Sequence, residues 1–165
     1  MIVLLGLLLL ASSVAAAPAT PTPCSGPEFH QFDFWIGSWI VKDDKGQMLG
    51  TNDVTVIQDG CVLQEHWKGT DGSAGTSFNI YYAPTGRWHQ TWVDSQGGLL
   101  RMDGGIVNGA MVLQGQRVGK RFKSVIDKIT WTPLPDGRVR QFWQASVDGG
   151  KTWKPIFDGY YQHAS

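Results

Sequence analysis

Phe32-Asp33-Phe34-Trp35-Ile36-Gly37-Ser38-Trp39 is the stretch on which the fold of this 165-residue chain turns. Five of its eight residues are large and apolar, and leaving that much aromatic surface in water is costly. Gly37 relaxes the backbone just before Trp39, Ile40 and Val41 open the first β-rich run. The octet therefore reads as a short helix or turn that leads into a strand, the plug and first strand of an antiparallel barrel.

Downstream of Trp39 no stretch carries a helical period, and β-branched and aromatic runs alternate with turn residues. The breaks fall at Asp43 to Gly46, Gln58 to Gly60, Gly69 to Gly75, Pro84 to Gly86, Ser95 to Gly98, Asn108-Gly109, Val118 to Lys120, Pro133 to Gly137 and Asp148 to Lys151, and nine breaks delimit ten strands. Asn108-Gly109 between two aliphatic pairs is a two-residue hairpin signal, and Pro135-Asp136-Gly137 has a turn mechanism at each position. A meander this long closes to remove its edges. The expected class is all-β, an antiparallel up-and-down barrel of about ten strands.

Residues 1–19 read as a secretory signal peptide: Ile2 to Leu10 is apolar, Ala11 to Ala19 is rich in small residues, and no charged side chain precedes Glu28. Cleavage fits after Ala16 or Ala19, and the run is shorter than the roughly 20 residues a membrane span needs. Residues 20–27 form a Pro-rich linker and residues 28–165 one β-barrel domain. Export places the protein outside the cytoplasm, periplasmic or secreted, with no membrane insertion of the mature chain. Cys24 and Cys61 are then expected to pair, closing a loop whose constraint stabilises the fold by ~4 kcal/mol. With 14 basic and 14 acidic residues there is no electrostatic footprint for nucleic acid or an anionic membrane.

Three triplets share one form: Glu65-His66-Trp67, Gln90-Thr91-Trp92 and Gln141-Phe142-Trp143. With Trp39 at the front, their tryptophans are separated by 28, 25 and 51 residues, as a repeated strand-turn-strand unit would space them, with a missing member near Val118. Strand alternation puts Glu65 with Trp67, Gln90 with Trp92 and Gln141 with Trp143 on the same face, and leaves Gln64, His66 and Lys68, His89 and Thr91, and Arg140 and Gln144 on the other. If the indoles point inward, one carboxylate and two amides do so too. Either those polar groups satisfy one another across a filled centre, or they line a lumen and orient a ligand stacked on the indoles. Eight tryptophans favour the lumen, because Leu, Ile and Val fill a closed core more easily.

Ser146-x-Asp148-x-Gly150-x-Thr152-Trp153 matches the Asp-box pattern at every position. Its carboxylate can accept turn amides while Trp153 packs back over the hairpin, so Trp39, Asp148 and Trp153 are assigned structural roles. The box resembles those of sialidase propellers, but a single copy staples one hairpin and does not build a propeller.

Gly37-Ser38-Trp39 after its aromatic lead-in resembles the Gly-x-Trp opening of lipocalins and other calycins. Together with Glu65-x-Trp67 and the Asp box it resembles a bacterial family of calycin-like β-barrel proteins, the DUF1579-type domain, over Glu28 to about Tyr161. That resemblance implies a barrel open at one end with a small apolar or aromatic ligand, and no particular reaction. Haem-binding calycins, the nitrobindins, share the Gly-x-Trp opening. Their following glycine-rich strand is not matched by Ile40-Val41-Lys42-Asp43, and His163, their nearest ligand counterpart, reads as a solvated terminal residue. No cofactor is expected.

His30, His66, His89 and His163 lack metal-ligand spacing, and no nucleophile elbow, phosphate loop or dinucleotide fingerprint occurs. Glu65 is the sole candidate general acid or base. The function expected first is binding of a hydrophobic or planar aromatic small molecule by Glu65, Trp67, Gln90, Trp92, Gln141 and Trp143. The alternatives are an enzyme using Glu65 in the same pocket and a carbohydrate-binding module.

Overall fold

A computed structural model describes residues 22–164, so the expected signal peptide, residues 1–19, and the first two residues of the expected linker lie outside the described residues. Ten strands follow one another as β1 (Gly37–Lys42), β2 (Met48–Ile57), β3 (Val62–Gly69), β4 (Ala74–Tyr82), β5 (Arg87–Asp94), β6 (Leu99–Val107), β7 (Ala110–Val118), β8 (Ser124–Pro133), β9 (Val139–Ser146) and β10 (Lys154–His163). Each pairs antiparallel with its chain neighbours, and β1 also pairs with β10 through Trp39 opposite His163, so the meander closes into a barrel without an edge. No helix among the described residues is long and apolar enough to cross a membrane.

The turns form where the local chemistry demands them. Asn108 and Gly109 both adopt positive φ, 50° and 80°, the conformation that matches strand twist across a two-residue hairpin. The Asp-box turn between β9 and β10 is organised by one carboxylate. Asp148 Oδ1 accepts the amides of Lys151 (3.0 Å) and Thr152 (2.9 Å) and Oδ2 accepts the Thr152 hydroxyl (2.6 Å). The bonds from Thr152 lead in holding this carboxyl down at about 2. Trp153 lies under the ammonium of Lys128, 4.2 Å from the ring centroid.

Two 3-10 turns, Pro27–His30 and Asp33–Trp35, bring the aromatic octet across one end of the barrel. Phe32 and Trp35 stack at 4.9 Å and are fully buried, and Trp131 and Trp88 present edges to Phe32 at 5.2 Å and 5.7 Å. The Trp39 indole N–H donates to the Trp35 carbonyl at 2.9 Å, tying the first strand to the plug. Cys24 and Cys61 are disulfide-bonded, which holds the lead-in against the connection between β2 and β3 at this same end. His163 is exposed and in strand β10 rather than frayed, its ring stacked on Trp39 at 3.9 Å.

Candidate functional site

Because strands alternate direction, the plug and the connections β2–β3, β4–β5, β6–β7 and β8–β9 share one end, and the other five turns share the opposite end. The second end is not filled. A cavity of about 370 Å³ opens there, floored by Trp131, Ile129 and Leu100 and rimmed by Thr70, Asp71 and Gln96.

All six residues of the three triplets, Glu65, Trp67, Gln90, Trp92, Gln141 and Trp143, line this one cavity. Trp39, the fourth indole of the series, does not; it belongs to the packed plug. The missing member on β7 is displaced by one residue from the expected Val118, which faces solvent. Arg117 occupies the inward position. Its guanidinium pairs with the buried Asp127 at 2.6 Å, and Asp127 accepts the Trp143 indole N–H at 2.8 Å. The β7 position thus holds a wall tryptophan in place instead of supplying one.

Glycines make room for the other two indoles. A Cβ at Gly75 would lie 2.2 Å from Trp92 Cζ2, and one at Gly50 would lie 2.7 Å from Trp67 Cη2. The Trp92 N–H donates to Asp94 at 3.3 Å and the Trp67 N–H makes a long bond to Ser73 at 3.4 Å. Phe157 meets the Trp67 ring edge-on at 5.7 Å. The walls are therefore aromatic faces whose donors are engaged by Ser73 and Asp94 at the mouth and by Asp127 behind the wall.

The polar groups divide into two sets. Asn52 Nδ2 donates to Glu65 Oε1 (3.0 Å), and the hydroxyl of Ser77, the cross-strand neighbour of Glu65, donates to Oε2 (2.6 Å). Asn79 donates to the Ser77 oxygen at 2.9 Å, and Gln90 donates to Asn79 Oδ1 at 2.7 Å from the adjacent strand. Gln141 stands apart from this string and accepts the Tyr161 hydroxyl. Sequence reasoning missed Asn52, Ser77, Asn79 and Tyr161. Polar residues at inward positions of strands were the signal available for the first three.

Glu65 is buried with only neutral partners. Desolvation pushes its carboxyl up to about 7, against the opposing bonds from Ser77 and Asn52. Tyr161 is driven well above its ordinary value by burial and then by the nearby Glu65, so it remains a proton donor. Asp94 at the rim also feels desolvation, but the amides of Gly98 and Gln96 and the Trp92 indole outweigh it and lower the carboxyl. Among the described residues no group of His, Cys, Asp and Glu is arranged to hold a metal.

Fold and site define the class: a closed ten-stranded antiparallel barrel, plugged at one end by aromatic residues and open at the other into an indole-lined cavity. No protein-family model and no curated protein matches the chain.

Proposed function

We propose that this chain is an exported small-molecule-binding barrel, of the calycin-like DUF1579-type class, that holds a flat or apolar ligand among Trp67, Trp92 and Trp143. The observation that carries the proposal is the cavity itself. Its volume of about 370 Å³ falls within the range of small-molecule pockets, and apolar walls surround a few convergent polar groups. A filled barrel would have satisfied Glu65, Gln90 and Gln141 across its centre. Here the string of bonds runs along the wall and leaves space beside it. Export rests on the apolar leader at residues 1–19 and the Cys24–Cys61 disulfide, a pairing favoured in oxidising compartments. Recognition of sugars at an open aromatic platform is disfavoured, because the indoles are half-buried within a barrel mouth.

The test is a titration of intrinsic tryptophan fluorescence with a panel of planar aromatics, lipids and haem. Saturable changes that disappear in Trp92→Leu and Trp143→Leu variants are expected. A flat response to the whole panel refutes the proposal.

A carboxyl held near 7 beside a cavity also suits proton transfer, which gives an enzyme as the second possibility. A Glu65→Gln variant that retained any turnover found for the parent would remove it.

A further inference from the structure

We propose, resting on the binding function above, that the ligand is a small organic cation: a protonated amine carried on an apolar or aromatic body. The chain as a whole is electrically balanced, but its cavity is not. Among the described residues, the charged side chains that line it are Glu65, Asp71 and Asp94, and Lys, Arg and His contribute nothing to the lining. Arg117, behind the wall, is already committed to Asp127 under Trp143.

Hydrogen-bonding capacity is equally one-sided. The indole N–H groups of Trp67, Trp92 and Trp143 are directed to Ser73, Asp94 and Asp127, so these side chains offer the lumen π faces and no donors. Asn52 and Ser77 donate to Glu65, Gln90 donates to Asn79, and the Tyr161 hydroxyl donates to Gln141, while the Trp131 N–H at the floor has no protein acceptor. Each oxygen of Glu65 accepts one such bond and keeps further lone-pair capacity, and the buried Asn52 Oδ1 beside it has no protein donor. A lumen whose charged groups are all acceptors, with the spare lone pairs of Glu65 among indole faces, suits a ligand that brings its own N–H groups. Indole faces attract a cation through their quadrupole, and a desolvated ammonium gains more from them than an exposed one. An ammonium at Glu65 would also supply the counter-charge that the buried carboxylate lacks. A carboxylate-bearing ligand such as a fatty acid would face three acids and few free donors.

The experiment is calorimetric titration of the protein with three matched probes: 2-phenylethylamine, 2-phenylethanol and 3-phenylpropanoate, at about pH 8 and low salt. The expected order is amine tighter than alcohol by about tenfold or more, with the anion undetected. In Glu65→Gln the preference for amine over alcohol should fall to about one. Should that variant fail to fold, the parent protein carries the test through pH. The groups facing the lumen are Glu65 on β3, Asp94 on β5, Asp71 in the β3–β4 turn and Tyr161 on β10. Only Glu65 changes charge between about pH 8 and pH 5, because both aspartates are held below their ordinary values and Tyr161 stays protonated. The amine preference should therefore drop about tenfold or more over that range. Equal affinity for amine and alcohol, or tighter binding of the anion, overturns the cation assignment while leaving a binding barrel in place. No binding of any probe, with fluorescence also unmoved by the wider panel, overturns both.

Discussion

Trp92 occupies the space that a side chain at Gly75 would need: a Cβ there would stand 2.2 Å from Trp92 Cζ2. The two residues lie on adjacent strands, and the indole is further fixed by its bond to Asp94. Gly75→Ala must push the ring toward the lumen. Overpacking of this kind costs about 1–3 kcal/mol, and the displaced ring narrows the cavity. Chemical denaturation should report the loss of stability, and ligand affinity should fall along with it. Gly46→Ala, at a glycine with open space around it, changes the denaturation midpoint without touching affinity and serves as the comparison.

Glu65 makes stability depend on pH in an unusual direction. Its folded-state carboxyl is raised to about 7, above the ordinary 4.5 of the unfolded chain. Between those values the folded protein holds a proton that the unfolded chain has released, so stability falls as pH rises from about 4.5 to about 7. The full penalty, about 3 kcal/mol, is present above that window and absent below it. Denaturant midpoints at about pH 5 and pH 8 should separate the parent from Glu65→Gln, with the variant losing most of the pH dependence. Identical pH slopes for the two proteins would show that burial does not govern this carboxyl.

Arg117 and Asp127 form an ion pair whose acidic half is buried. Arg117→Met leaves that carboxylate without its counter-charge and is expected to destabilise by about 3–5 kcal/mol. Adding Asp127→Asn should restore much of the loss, since the amide oxygen can still accept the Trp143 N–H. A double-mutant cycle by urea unfolding measures the coupling, and simple additivity of the two substitutions would contradict it.

Reduction of Cys24–Cys61, or Cys24→Ser with Cys61→Ser, should lower stability by about 4 kcal/mol, since the bridge closes a loop spanning 37 positions. On its N-terminal side the aromatic plug is attached to the barrel by that bond, by the Trp88 indole N–H donating to Gln31 at 3.2 Å, and by packing. Its loosening should therefore be visible as increased hydrogen exchange at the Phe32 and Trp35 amides before the barrel strands respond.

Much of this architecture is legible in the sequence because the turns announce themselves. Asn108-Gly109 and Pro135-Asp136-Gly137 carry local conformational requirements, and the density of Phe and Trp from Phe32 to Trp39 demands burial wherever it lies. Strand alternation likewise sorts Glu65 and Trp67 from His66, because its period is local. What it does not supply is the register between strands. Glu65 meets Ser77, and Asn79 meets Gln90, only through pairings set by the whole closed sheet. Asn52, Ser77 and Tyr161 therefore read as ordinary strand residues until those pairings are known. The one-residue difference between Val118 and Arg117 has the same origin: a period near 25 locates the strand, and its phase chooses which side chain turns inward.

The pairing of β1 with β10 has a geometric result. The lead-in is bridged to Cys61 beneath the barrel, and the Ala164 amide bonds back to the Ser38 carbonyl beside the plug, so both ends of the described chain leave from the sealed pole. A tether, tag or carrier joined at either terminus would hold the molecule like a cup by its base, with the mouth directed outward into the medium it samples.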